Sequence, residues 1–230
     1  MNVRETTEGN GMGKGRLGWA PLTGLAFVLI VIIAFITSGE PPDVNDESAQ
    51  KLVDFYKDNE GQQVFSAILE GLAATLLVFF GGVLRRALRD SEGEGGWLSS
   101  VAFAGTIIIA TGLAIDATIT IALTSGAGEV DPAAIQTLAL LYENDFVPMA
   151  VGMQVFLLAT GISIVTRGAL PKWLGWVMIV FAVLAVTPIG FVAFIAGGLL
   201  VGVIGVLLYM RGKAEPAERP RREVGEQHPH

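Results

Sequence analysis

Two acidic residues stand inside long apolar stretches of the sequence, where an ionisable side chain is costly to bury and is a candidate for function. Glu70 lies within the stretch 64–84, and Asp116 lies within 97–123. Each is about seven residues from one end of its stretch, which is about 10 Å along a helix. Because consecutive membrane helices run in opposite directions, we expect the two carboxyl groups at the same depth. Gln154 reaches a similar level in a later apolar stretch.

The helix faces that carry these residues are made of small or polar side chains. Ala67 shares a stripe with Glu70, and Gly112 and Thr120 share one with Asp116. Small residues let helix backbones approach closely, so these faces are expected to pack inside a bundle. The candidate site for a proton or a ligand therefore comprises Glu70, Asp116, Gln154 and Thr120.

Two interpretations of the carboxyl pair are open. In the first, a protonated carboxyl group is a structural hydrogen-bonding group between helices. In the second, Glu70 and Asp116 bind a proton, a cation or another ligand. Two desolvated carboxylates close together do not both ionise easily, so we expect at least one to hold its proton.

The composition excludes several kinds of chemistry. The chain has no cysteine, and its two histidines, His228 and His230, are close to the C-terminus. Thiol nucleophiles, thiolate metal sites, histidine-ligated haem within a span and Ser-His hydrolysis are thereby excluded. Neither a P-loop nor a dinucleotide fingerprint is present. We therefore expect no catalytic residues, no metal site, no cofactor and no nucleic-acid partner.

The elements that must position the site are apolar segments of membrane-spanning length. The chain is 52% hydrophobic and only 16% charged, against about 25% charged for a soluble domain. A span needs about 20 predominantly apolar residues. The sequence predicts an all-α, polytopic membrane bundle of six transmembrane helices at 21–38, 64–84, 97–123, 146–165, 173–187 and 191–209.

Two details of this division have alternatives. The last two segments are short and form a hairpin over 173–209, or else one long span with a re-entrant or interfacial piece. The first segment is an uncleaved span, or else a signal peptide flanked by basic residues. The resulting organisation is a disordered cytoplasmic tail at 1–20, a transmembrane domain at 21–210 and a second disordered tail at 211–230.

The positive-inside rule orients the spans. With the N-terminus inside, the cytoplasmic segments hold 13 of the 15 Lys and Arg residues, and only Lys51 and Lys57 are outside. The four tryptophans, Trp19, Trp97, Trp173 and Trp176, fall at cytoplasmic ends of spans, where such rings anchor in the headgroup region. We expect a plasma (inner) membrane protein with both termini in the cytoplasm.

Two outer loops carry amphipathic helix patterns. Asp46 is the expected N-cap of the first helix, and Asp131 is that of the second, with Pro132 at its first position. Apolar side chains then recur at helical spacing. We expect two short amphipathic helices lying on the outer membrane surface.

The two loops also resemble each other. Gln50 and Tyr56 match Gln136 and Tyr142 at a constant offset of 86 residues. This pattern indicates a parallel repeat of 21–84 and 97–165, followed by the hairpin, unless the few identities are chance.

A small-xxx-small motif, Gly198 to Gly202, favours close helix packing either within the chain or between two copies of it. A homo-oligomer or another protein partner is therefore expected through this motif in the second case. The lipid bilayer is the expected environment in both.

Three short motifs support a family resemblance: Thr37-Ser-Gly-Glu-Pro-Pro-Asp43, Val53-Asp-Phe-Tyr-Lys-Asp-Asn59 and Leu170-Pro-Lys-Trp-Leu-Gly-Trp176. With the span spacing, they resemble a group of uncharacterised bacterial six-span integral membrane proteins, akin to a domain-of-unknown-function family. The likeness covers most of residues 18–210. It implies six spans in a bacterial inner membrane and implies no activity.

Two function classes are compatible with these features. The first is a non-enzymatic sensor, stress-response or accessory membrane component. The second is a small transporter or channel-like protein that couples to protons or cations through Glu70 and Asp116. A lipid-modifying enzyme would need a nucleophile or metal set that the sequence does not offer.

The topology is testable with reporter fusions. Fusions after Gly95, Arg167 and Arg211 should report the cytoplasm, and fusions at Asp46 or Glu129 should report the outside, because basic residues stay inside. Alkaline phosphatase and fluorescent-protein activities measure the two locations. An external signal at Arg211 would remove the hairpin and leave five spans.

Overall fold

The computed structural model describes residues 18–45, 48–185 and 190–214, and within them the regular structure is entirely helical. A short 3-10 turn, Ala20–Leu22, leads into the first helix. The helices are α1 Thr23–Ser38, α2 Ala49–Asp58, α3 Glu60–Glu92, α4 Leu98–Gly126, α5 Pro132–Asn144, α6 Phe146–Arg167, α7 Lys172–Leu184 and α8 Gly190–Ala214. The prediction of an all-α helical bundle is confirmed.

Five helical segments among the described residues are long and apolar enough to cross a membrane. They are Ala20–Ser38, Glu60–Glu92, Leu98–Gly126, Pro132–Arg167 and Val192–Lys213. The predicted fifth span, 173–187, corresponds to α7, which has 13 residues. At 1.5 Å per residue α7 is about 20 Å long, shorter than a hydrocarbon core of about 30 Å. Residues 186–189, at the expected hairpin turn, lie outside the described part of the chain. So do residues 1–17 and 215–230, which make up most of the two predicted tails.

The caps of the two amphipathic helices differ in how well they were predicted. The Asp131 side chain accepts a hydrogen bond from the Ala133 N–H at 2.8 Å, with Pro132 at the first helical position, as expected. The first amphipathic helix begins at Ala49 and is capped by Ser48, whose hydroxyl accepts from the Lys51 N–H. The expectation of Asp46 as N-cap was wrong, and Asp46 itself lies outside the described residues.

The apolar faces of α2 and α5 are buried mainly in protein. Leu52 and Tyr56 of α2, Ile135 and Ala139 of α5 and Leu123 of α4 belong to one buried cluster. Two hydrogen bonds strengthen it: Gln136 donates to the Val44 carbonyl at 3.1 Å, and the Val44 N–H donates to Glu143. We call α2, α5 and Val44 the cap, because they cover the end of α4. The two expected amphipathic helices therefore pack against each other as one unit.

The main core is formed by contacts between α1, α3, α4, α6, α7 and α8. Helix α3 packs between α1 and α4, α4 packs on α6, and α6 packs on α7, while α8 lies against α1. Large apolar side chains such as Leu77, Phe80 and Phe156 are fully buried in this core. The opposite faces are apolar and exposed, with Phe35 at 76% and Phe79 at 65% exposure.

Glycines set the closest helix contacts. A Cβ on Gly105 of α4 would lie 2.6 Å from the Phe156 backbone nitrogen, and one on Gly152 of α6 would lie 2.7 Å from the Ile109 nitrogen. Between α6 and α7, a Cβ on Gly161 would lie 2.8 Å from the Gly175 carbonyl oxygen, and a Cβ on Gly175 would lie 2.8 Å from the Gly161 carbonyl oxygen. Backbones this close leave no room for a side chain, as expected for packing between membrane helices.

A buried carboxylate joins three helices at the opposite end from the cap. Glu92, the last residue of α3, is 4% exposed. It accepts from the Ser99 N–H at 2.7 Å, from the Ser99 hydroxyl at 2.9 Å and from the Ser163 hydroxyl at 3.0 Å. The carboxylate therefore caps the start of α4, where negative charge is favourable, and ties it to α6.

Replacing Gly105 by Ala should destabilise the protein by about 1–3 kcal/mol, the usual cost of overpacking, because backbone atoms of α6 block the new methyl group. The matched control is Gly82→Ala on α3, since a Cβ there meets nothing within 4 Å. Unfolding in mixed detergent micelles measures both. Equal unfolding midpoints for the two variants would contradict the close contact of α4 and α6.

Candidate functional site

A cavity of about 360 Å³ lies among α1, α3, α4, α6 and α8, below the cap. Its walls are mostly aliphatic and aromatic. Polar side chains are confined to the end near the cap, where Glu70, Asp116, Tyr142 and Ser38 line it. The other lining residues are Phe27, Val28, Val31, Ile32, Ala34, Phe35, Ile109, Leu113, Met149, Met153, Phe194, Ile195, Gly198 and Leu199. The cavity is therefore an apolar chamber with a small acidic end.

Glu70 is positioned by the contact of α3 with α1. The Ser66 hydroxyl donates to the Ala34 carbonyl of α1 at 3.0 Å, and it lies 3.3 Å from Glu70 Oε1. One turn earlier, the Gln63 amide donates to the Ser38 carbonyl at the end of α1. The small Ser66 and Ala67 let α1 approach, and Glu70 lines the cavity. Its Oε2 has no hydrogen-bond partner within the part of the chain that the structure describes.

Asp116 lines the cavity from α4, and its Oδ1 also has no hydrogen-bond partner among the described residues. The Tyr142 phenol of α5 lies beside it, with the Thr120 hydroxyl as a hydrogen-bonding neighbour. Asp145, where α5 meets α6, is 9% exposed and has an unpartnered Oδ2. It acts electrostatically on both Glu70 and Asp116. Two carboxyl groups thus line one end of the cavity, and a third lies near them.

The field of these groups extends into the cap. Burial, followed by the nearby charges of Asp116 and Glu143, raises the pKa of Tyr56 to about 12. Tyr56 therefore stays a neutral hydrogen-bonding group throughout the physiological range.

The residues predicted from sequence are only partly brought together. Glu70 and Asp116 line the same cavity, and Thr120 reaches it indirectly through Tyr142. Gln154 is partly buried on α6 but is not among the lining residues, which on that helix are Met149 and Met153. Gly152 faces α4. Gln154 is two residues further along α6, so its side chain projects from the opposite side of that helix.

Sequence reasoning missed Tyr142, Ser38 and Asp145 as members of the site. Tyr142 entered the sequence argument only as the counterpart of Tyr56 in the second outer loop, and Asp145 did not enter it. The available signal was position, because both lie within four residues of the start of α6. It could be used only if α5 were known to fold over the cavity.

The arrangement offers charge and hydrogen-bond acceptors but no metal centre. Among the residues that the structure describes, no group of three or more His, Cys, Asp or Glu side chains is arranged to hold a metal ion. Comparison of the chain with protein-family models, with curated proteins and with solved structures gave no match.

Glu70 and Glu92 test whether the cavity carboxylate is structural. Glu92→Leu should lower stability by about 3 kcal/mol or more, because it leaves buried donors of Ser99 and Ser163 unpaired. Glu70→Leu should leave stability unchanged or higher, because it removes an unpartnered buried oxygen. Glu70→Gln should also preserve folding. Detergent unfolding of the variants decides the matter, and an equal loss for both Leu variants would show that Glu70 is structural.

Proposed function

We propose that this chain is an integral membrane protein of the inner membrane with six spans and both termini in the cytoplasm. The exposed apolar faces of its helices support a lipid environment, since soluble monomers rarely expose contiguous apolar patches larger than a few hundred Å². Val180 and Val183 extend this surface along α7, each more than half exposed. Helix α7 lies alongside α6 through Gly161 and Gly175, so local bilayer thinning or the residues beyond Leu184 would complete its passage.

Within that membrane, the protein is a non-enzymatic sensor, stress-response or accessory component. The observation that carries this proposal is that the two helices that bring Glu70 and Asp116 to the cavity run unbroken past it. Helix α3 has 33 residues and α4 has 29, and both are continuous at the level of Glu70 and Asp116. Many transporters instead bind their substrates at broken helices near the bilayer midplane. A fixed chamber beneath a folded cap suits the binding of a ligand whose presence is reported to a partner.

A second candidate is a proton- or cation-coupled carrier that uses Glu70 and Asp116. It is favoured by one observation: Glu70 and Asp116 line the same cavity, and each has a carboxyl oxygen without a hydrogen-bond partner among the described residues. Intramembrane carboxylates of this kind serve as proton relays in pumps and transporters.

Proton flux separates the two candidates. Purified protein in liposomes, with a trapped pH-sensitive dye and a potassium diffusion potential, should show no flux above protein-free liposomes if it is a sensor. A flux that is lost in Glu70→Gln and Asp116→Asn would contradict the sensor proposal and establish the carrier. Glu60→Gln is the matched control, because Glu60 is an exposed carboxylate on the same helix.

A further inference from the structure

We propose that the cavity binds an amphipathic amine, with its ammonium group between Glu70 and Asp116 and its apolar chain among α1, α4, α6 and α8. This inference rests on the proposed placement of the helices in a bilayer and specifies the ligand of the site described above. Four features of the structure lead to it.

The first feature is size. A volume of about 360 Å³ falls within the usual range of small-molecule pockets, about 300–1,000 Å³. The wall contributed by α1 runs from Ser38 at the acidic end to Phe27, which is roughly 16 Å along the helix. The space is therefore elongated, with one polar end, and it matches a molecule that has a small head and an apolar tail.

The second feature is charge. The polar end is lined by Glu70 and Asp116, and no Lys, Arg or His is among the lining residues. Glu70 Oε2 and Asp116 Oδ1 are both buried and lack a donor among the described residues. A protonated amine has several N–H donors and a positive charge, so it would form charge-assisted hydrogen bonds with the carboxyl groups of Glu70 and Asp116. A carboxylic acid or phosphate would add negative charge beside Glu70 and Asp116.

The third feature is aromatic. Tyr142 stands at the acidic end, and Phe27, Phe35 and Phe194 line the remainder. Ring faces attract cations when water is excluded, and the same rings provide apolar surface for a chain. The aromatic side chains thus suit both ends of the same ligand.

The fourth feature is an entrance that faces the bilayer. Helices α1 and α8 are held together at one end, where Gly202 meets Val28 and Gly205 meets the Pro21 carbonyl. The contact does not continue to Gly198, where a Cβ would meet nothing within 4 Å. Beside this gap, Ile195 and Leu199 are about half exposed. In a membrane the gap opens to lipid, so the ligand enters sideways from the bilayer.

Binding of decylamine to the full chain in lipid nanodiscs tests this proposal. Isothermal titration against protein-containing discs, corrected with empty discs, should show saturable binding. 1-Decanol and decanoate should bind at least about tenfold more weakly, since they lack the charged donor. Equal binding of decanol and decylamine would overturn the assignment of a cation.

Variants locate the site. Glu70→Gln and Asp116→Asn should each weaken decylamine binding about tenfold, whereas Glu60→Gln should not. Gly198→Leu should weaken it similarly by filling the gap, and it should fold, because a Cβ at this position meets nothing within 4 Å. The matched control is Gly212→Leu, on the same helix, where a Cβ also meets nothing and which is not part of the cavity lining.

Unchanged binding to the Gly198→Leu protein would overturn the cavity as the site. Failure of the ligand proposal and failure of the membrane proposal are distinguishable. Reporter fusions that give the expected topology, together with absent decylamine binding, would remove the ligand alone. Fusions that place both ends of α3 on one side would remove the membrane placement itself.

Discussion

The close approach of α4 and α6 at Gly105 and Gly152 is the contact on which the remaining architecture depends. Each glycine lies against the backbone of the other helix. If one helix slid along the other, a residue with a side chain would replace a glycine at the contact and would clash. Helix α3 packs against α4 on one side, and α7 packs against α6 on the other. In lipid there is little hydrophobic drive to bring helices together, and close van der Waals packing of this kind must provide the association. The bundle is therefore organised around small residues rather than around large apolar ones.

The cavity begins where the close contacts between α1 and α8 end. Gly24, Gly202 and Gly205 hold α1 and α8 together at the end that we assign to the cytoplasm. Towards the cap, a Cβ at Gly198 would meet nothing within 4 Å, and Leu199 and Phe35 are half or largely exposed. The two helices are therefore in close contact at one end and leave space between them at the other. The carboxyl groups of Glu70 and Asp116 lie at the end of that space nearest the cap.

Much of this fold follows from the apolar segments alone, and the differences have physical reasons. The apolar part of α3 ends at residue 84, but the helix continues through polar residues to Glu92 and ends where Gly93 adopts a positive φ of 72°. The predicted starts of α2 and α5 depended on the choice of N-cap. Asp131 is followed by Pro132, which marks the first helical position, whereas no such signal follows Asp46, and α2 begins after Ser48 instead. Joining of α2 to α5 was not predictable, because an amphipathic pattern shows that one face is apolar but not which surface covers it. Glu70 and Asp116 could be named as candidates because they interrupt apolar segments. Tyr142 could not, because its place at the cavity depends on how α5 packs.

The contrast between Glu92 and Glu70 separates two uses of the same side chain on one helix. Glu92 is surrounded by donors from Ser99 and Ser163, and each of its oxygens accepts at least one hydrogen bond. Glu70 has the Ser66 hydroxyl near one oxygen and nothing at the other. Burying an unpartnered polar atom costs about 1–3 kcal/mol, and an apolar residue of similar size would avoid that cost. A chain that keeps a carboxyl group here gives up stability, which is common where a binding site must stay unsatisfied until its ligand arrives. The same argument extends to Asp116, which lines the same cavity and whose Oδ1 also lacks a partner among the described residues. Two such side chains in one apolar cavity are the basis of the proposed site, which a hydrogen-bond donor from outside the protein would complete.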